Sequence, residues 1–237
     1  MILAIDCGNT RVKWGLRDPQ ESGWRALGAV PLADIARLEA DWSSLPLPSR
    51  IVIANVAGES ARKALLAPLA RWVVEPRWVS AQAAQCGVTN GYTDPCQLGV
   101  DRWAALIGAW HLQHGACLIV NAGTATTADM LSSQGVFRGG IILPGVDLMQ
   151  RALAQNTAGL PLAQGRFAEE PRCTADAIES GCLHAQAGAI ERMYARLEAG
   201  AACLISGGNA QRILPVLSIP VRAVDNLALE GLVRIGA

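Results

Sequence analysis

Ile2-Leu3-Ala4-Ile5-Asp6-Cys7-Gly8-Asn9-Thr10 carries an unbroken apolar run into a short polar turn, after which Arg11-Val12-Lys13-Trp14-Gly15-Leu16-Arg17 alternates polar and apolar with period two. This spacing predicts a β-hairpin bent at Gly8-Asn9. The layout returns 115 residues later, where Leu118-Ile119-Val120 leads into Asn121-Ala122-Gly123-Thr124-Ala125-Thr126-Thr127. A second pair of segments, Ile51 to Gly58 and Cys203 to Ala210, each reads as an apolar strand, a small-residue turn and a helix-like stretch. The expected fold is therefore a duplicated α/β chain, each half a strand-rich start followed by βα units. The expected halves are residues 1–115 and 116–237.

Asp101 to His114 places Trp103, Leu106, Ile107 and Trp110 on one helical face and is expected to stop with Gly115 as its C′ residue. A longer helix is predicted from Ala175 to Leu197, with Thr174 as N-cap and a stripe of Gly181, Ala185 and Gly188 that suits close helix contact between subunits. Residues 18–50 and 155–172, rich in Pro, Ala and Gly, read as connections with short helices.

The 237 residues hold 20 Lys+Arg against 20 Asp+Glu and are 51% hydrophobic but only 17% charged. Soluble domains average roughly 25% charged, so much surface is expected to be covered between lobes or subunits. Zero net charge and the lack of any basic run argue against a nucleic-acid partner. Seven scattered cysteines without a Cys-x-x-Cys point to reduced thiols and the cytoplasm. No basic leader opens the sequence, and no apolar stretch approaches the roughly 20 residues of a span, so no membrane partner is expected.

Two glycine-bent hairpins are able to aim backbone N–H groups at a phosphate chain. The first adds Asn9 and Thr10 as donors, Lys13 as a cation and Asp6 as a ligand for Mg2+ or its water; the second adds Gly123, Thr124 and Thr126. Taken alone, Asp6 to Thr10 is equally an ordinary turn, because Asn and Gly favour turns on conformational grounds. Its recurrence in the other half favours a nucleotide clamp. Gly99-Val100-Asp101-Arg102 sets a carboxylate and a guanidinium at a helix start, a pair suited to orienting a hydroxyl and binding an anionic substrate. In isolation it also reads as a cap with a solvated arginine. His111 and His114 lack a third ligand, and the P-loop, Gly-x-Gly-x-x-Gly and Gly-x-Ser-x-Gly patterns are missing. Gly207-Gly208 suits either a flat adenine or ribose, or a plain strand-to-helix turn.

Taken in order, these segments resemble type III pantothenate kinases of the acetate and sugar kinase, Hsp70 and actin superfamily. Asp6-x-Gly8-Asn9-Thr10-x-x-Lys13 is similar to that family's first phosphate motif, and Gly91-Tyr92 with Leu98 to Arg102 to its pantothenate motif. Gly123-Thr124-Ala125-x-Thr127 resembles the second phosphate motif, followed by Gly139 to Gly145, Thr174 to Gly181, Gly188 to Glu191, Gly207 to Ala210 and Asp225 to Leu232 in matching order. The resemblance implies a duplicated ribonuclease H-like (actin-like ATPase) fold with two lobes and the nucleotide in the cleft between them. It also implies a homodimer and ATP-dependent phosphorylation of the 4′-hydroxyl of pantothenate, the first step of coenzyme A biosynthesis. By the same resemblance Asp101 is the general base, and Tyr92, Gly99, Val100, Asp101 and Arg102 bind pantothenate, joined by Thr174, in one version from the partner subunit. Asp6, Cys7, Gly8, Asn9, Thr10, Arg11, Val12 and Lys13 with Thr124 hold ATP, with Mg2+ at Asp6. Asn121 stands where relatives carry an aspartate associated with a monovalent cation, K+ or NH4+. An amide coordinates such a cation without charge, so a weakened potassium requirement is expected. Two rival functions remain: a non-catalytic nucleotide- or pantothenate-binding regulatory homologue, which Asn121 favours, and a phosphohydrolase, which Tyr92 and Gly99 to Arg102 disfavour.

Overall fold

The opening hairpin forms as β1 (Ile2–Cys7) and β2 (Arg11–Arg17) in the computed structural model, which describes residues 1–21, 23–160, 162 and 164–237. The chain continues through β3 (Ala26–Pro31), α1 (Leu38–Asp41), β4 (Arg50–Asn55), α2 (Gly58–Leu69), β5 (Pro76–Trp78), β6 (Ala84–Gln85), β7 (Val88–Asn90) and α3 (Val100–Gln113). The second hairpin, β8 (Cys117–Ala122) and β9 (Ala125–Leu131), leads to β10 (Val136–Pro144), α4 (Val146–Asn156), α5 (Thr174–Tyr194), β11 (Ala202–Ser206), α6 (Ala210–Ile213), β12 (Arg222–Ala223) and α7 (Leu227–Gly236). Two compact units result: Met1–His114 with Gly135–Phe137 and Asn226–Ala237, and Gly115–Gln134 with Arg138–Asp225.

In the first unit the strand order is β3-β2-β1-β4-β5, with β1 antiparallel to β2 and parallel to β4. Period-two alternation assigns each side chain of β1 to a face. Leu3, Ile5 and Cys7 join Val12, Trp14 and Leu16 in a core closed by Trp42 and Trp72. Trp14 meets Trp42 edge-on at 6.1 Å, and Trp42 lies 5.4 Å from Trp72, geometries that aromatic pairs favour. Ile2, Ala4 and Asp6 point to the other face, where α7 packs: a Cβ on Gly236 would touch Val52 and Ile2. α7 in turn crosses α3 at closest approach. A Cβ on Gly231 would lie 1.7 Å from the Ala104 oxygen, and one on Gly108 would lie 2.4 Å from the Leu227 oxygen. Arg17 and Trp24 both bind Glu230 of α7, at 2.5 and 2.9 Å.

The second unit repeats the topology. Five of the seven strands of its sheet run in the order β12-β11-β8-β9-β10, with β8 antiparallel to β9 and parallel to β11. Leu118, Val120 and Ala122 face a core shared with Ile178, Cys182, Leu183 and Ile190 of α5. Asn121 points the opposite way, as Asp6 does in the first unit. Among the described residues, no helix is long and apolar enough to cross a membrane.

Three local expectations shift. His114, not Gly115, adopts the left-handed conformation that ends α3 (φ 44°), where its ring meets Trp110 edge-on at 5.5 Å. Thr174 is the first residue of α5 rather than its cap, because extended Cys173 supplies the carbonyl that accepts the Ala177 N–H. The α-helix ends at Tyr194 and tightens into i to i+3 bonds at Arg196 and Leu197. Within residues 18–50 the structure adds an edge strand, β3; of residues 155–172, positions 161 and 163 lie outside the described residues.

Replacing Gly231 by Ala is expected to destabilise the protein by about 1–3 kcal/mol despite alanine's better helix propensity, because α3 and α7 must separate. Gly159→Ala, at a position with open space around it, serves as the control. Urea unfolding of both variants measures the effect, and equal stability would show that the crossing tolerates a methyl group.

Candidate active site

Asp6 and Lys13 stand directly opposite each other in the β1–β2 ladder and therefore share a face. That face is the one covered by α7 and α3, so Asp6 is directed toward the helix whose first turn carries Asp101. The Asp6 carboxyl is pushed from 3.8 up to about 6, first by burial and then by the negative charge of Asp101, with Lys13 acting against both. Two carboxylates and one lysine are thus electrostatically coupled in the first unit.

The turn after Asp6 separates into side chains that are exposed and side chains that are buried. Cys7 and Val12 are buried in the core, and the Cys7 thiol is pushed up to about 11 by burial and the Asp6 charge, so these positions offer only backbone. Asn9, Thr10 and Arg11 are exposed, while Gly8 and Lys13 are partly buried. Gly8 N–H is committed to the Arg11 carbonyl at 3.0 Å.

Gly99 is the N-cap of α3, and Asp101 sits in the first turn with its Oδ1 accepting the Arg102 N–H at 2.8 Å. A Cβ on Gly99 would lie 2.7 Å from that oxygen, so glycine permits the carboxylate to fold back over the helix start. The reading of Arg102 as a solvated residue does not hold, since it is 6% exposed. Its guanidinium donates to the Tyr92 hydroxyl at 3.1 Å and lies 5.8 Å from the ring centres of Tyr92 and Phe137. Tyr92 and Phe137 themselves meet at 5.1 Å. Phe137, which no motif marked, is fully buried and reaches this cluster because β10 begins beside β7. Asn90 shapes the loop, accepting the Tyr92 N–H and donating to the Pro95 carbonyl.

In the second unit Asn121 pairs with Thr127, the counterpart of the Asp6–Lys13 pair but without charge. Thr126, expected to add a donor, is instead fully buried on the face of Ala122, as period two requires. Thr124 is exposed at the tip and Thr174 is exposed at the start of α5. Gly207, at φ 105°, is packed against the Ala122 backbone, whereas Gly208 faces open space. His111 and His114 lie 5.9 Å apart, and among the described residues no three acidic, histidine or cysteine side chains form a metal-binding group.

A family model described as type III pantothenate kinase matches residues 2–196. The chain belongs to the type III pantothenate kinase family. A type III pantothenate kinase of Aromatoleum aromaticum is 53% identical, the alignment covering 98% of this chain and 96% of the relative. Among solved structures, a conserved Campylobacter jejuni protein assigned to the Baf family of transcriptional activators superposes with TM-score 0.65 at 20% identity, over 98% of this chain and 96% of that one. The activator of 2-hydroxyisocaproyl-CoA dehydratase from Clostridium difficile, solved with bound ADPNP, gives 0.57 at 11% identity, over 98% and 91%. At such identities these two likenesses show the fold alone, a duplicated actin-like ATPase architecture, and lend the regulatory alternative no weight. Family membership makes the protein a kinase, a phosphotransferase with an alcohol acceptor.

Because the folded-state value of Asp6 is raised, the native protein binds more protons than the unfolded chain between about pH 3.8 and 6. Stability attributable to Asp6 is therefore full below that window and falls as pH rises through it. Asp6→Asn is expected to make the ligand-free protein more stable by about 1–3 kcal/mol at pH 7.5, the gain fading toward pH 4. Urea titrations at both pH values measure it; a variant less stable at pH 7.5 would mean that Lys13 outweighs burial.

Proposed function

We propose that the protein transfers the γ-phosphoryl group of ATP to the 4′-hydroxyl of pantothenate in the cytoplasm, yielding 4′-phosphopantothenate and ADP for coenzyme A biosynthesis. The observation that carries the assignment of roles is the coupling of Asp6, Lys13 and Asp101, with Arg102 and Tyr92 joined beside them. Tyr92, Gly99, Val100, Asp101 and Arg102 hold pantothenate, the buried guanidinium facing its carboxylate. Thr174 contributes from the partner subunit. Asp101 accepts the hydroxyl proton as the oxygen bonds to the γ-phosphorus and the bond to the β–γ bridging oxygen breaks. A loose phosphoryl-transfer transition state needs positioning and charge compensation more than a strong base.

Asp6 to Lys13 and Thr124 bind the phosphates, and the open face of Gly208 accommodates the adenine or ribose. The raised Asp6 carboxyl fits a Mg2+ site, because a divalent cation relieves the repulsion that burial and Asp101 impose. Mg2+ there would neutralise charge on the β- and γ-phosphates. Asn121 and Thr127 supply neutral oxygens, a donor set that suits K+ or NH4+ but binds it weakly. Residues 1–115 and 116–237 serve as the duplicated halves. The exposed stripe of Gly181, Ala185 and Gly188 supports a homodimer.

A coupled assay for ADP, with pantothenate added or withheld at several K+ concentrations, tests this function. Turnover is expected only with pantothenate, Asp101→Asn is expected to lose about 10²–10⁴-fold with its fold intact, and Asn121→Asp to steepen the K+ response. Equal ATP hydrolysis without pantothenate would indicate a phosphohydrolase instead. Light scattering of the purified protein is expected to give twice the 24.9 kDa chain mass; a monomer would remove Thr174 of a partner from the site.

A further inference from the structure

The turn between β8 and β9 is met on both sides by backbone contacts. On one side Gly145 donates its N–H to the Thr124 oxygen at 2.9 Å, with its Cβ position 2.2 Å from the Gly123 oxygen. On the other, Asn209 donates its N–H to the Ala122 oxygen at 2.9 Å, and the Cβ position of Gly207 lies 2.4 Å from that same oxygen. Glycines at closest approach bring no side chain to hold them there, so the shape of the turn depends on what fixes the segments around 145 and 207.

One side chain binds both segments. Two residues beyond each glycine stand Asp147 and Asn209. Nη1 of Arg212 donates to Asp147 Oδ1 at 2.6 Å and to Asn209 Oδ1 at 3.2 Å. Nη2 donates to both oxygens of Glu179 on α5, at 2.9 Å each. The Glu179 side chain is 10% exposed, so this charge-assisted contact, one nitrogen shared by both carboxylate oxygens, is the anchor, while the half-exposed arm to Asp147 adds little to stability and much to geometry. Two turns further along α5, Gln186 donates to the Pro144 oxygen at 2.7 Å, tying the same helix to the residue before Gly145.

We propose that Arg212 is a positioning residue that couples the two flanks of the Ala122–Thr124 turn and holds it in shape for the phosphates of ATP. The proposal rests on the assignment of that turn to ATP, which Thr124→Ala tests separately.

Arg212→Gln is expected to raise KM for ATP about tenfold while kcat and KM for pantothenate stay within about twofold, since the turn is misplaced and the chemistry is elsewhere. Hydrogen exchange is expected to speed up at the Gly145 and Asn209 amides, and Arg212→Lys to recover part of both effects. Asp147→Ala, which removes the exposed arm together with the Asn209 Nδ2 contact to Asp147 Oδ2 at 3.4 Å, is expected to raise KM for ATP at an unchanged melting temperature, and it carries the test if Arg212→Gln fails to fold. An unchanged KM for ATP in Asp147→Ala, or equal rises in KM for both substrates in Arg212→Gln, would overturn the proposal. If Thr124→Ala leaves KM for ATP unchanged, the assignment of the turn to ATP fails; if it raises KM and the Arg212 and Asp147 variants do not, only the positioning role fails.

Discussion

Asp6 and Asp101 are held near enough to repel, in a place where burial already disfavours a charge on Asp6. Neither position relaxes easily. Asp6 is locked by a ladder that pairs it with Lys13 on one side and Ala54 on the other. Asp101 is carried by a helix whose path is set by the glycine crossing with α7, and Gly99 turns its carboxylate back over the helix start. The native fold therefore retains an electrostatic cost at the groups proposed to meet a magnesium–phosphate ligand and a substrate hydroxyl. Such a site is preorganised: a ligand that brings opposite charge stabilises the native state as well as binding to it.

Duplication explains the frame and not the chemistry. Both units use the same strand order, and in both the first strand sends alternate residues to a large core and to the opposite face. At matching positions, however, the first unit presents Asp6 opposite Lys13 and the second Asn121 opposite Thr127. The first half thus holds the charged machinery. The second holds a neutral turn whose precision comes from backbone contacts to Gly145 and Gly207, and from the arginine that links their segments.

The elements legible in the sequence are those whose signal is local. β1, β2, β8 and β9 carry period-two patterns or apolar runs broken by glycine, and α3 carries an apolar face of four large residues. β3 and the two- and three-residue strands β5 to β7 are too short, or too close to an edge, to impose a pattern. Cap positions moved by one residue because a single carbonyl or ring contact decides them, as at Cys173 and His114. Thr126 and Thr127 show the same limit within the site: both are small, buried hydroxyl residues after a glycine turn, and only the ladder register separates the one beside Ala122 from the one facing Asn121.

Sequence by itself determined the duplicated hairpins, the family motifs, and the identities of Asp6, Lys13, Asp101, Arg102 and Asn121, because turn chemistry and strand alternation act between near neighbours. Tertiary structure decided what those groups experience. Burial of Arg102 beneath Tyr92 and Phe137, the raised carboxyl of Asp6, and the grip of Gly145, Gly207 and Arg212 on one turn all arise between residues tens of positions apart. Dielectric environment and close backbone approach depend on distance in space, which a pattern of neighbours along the chain does not encode.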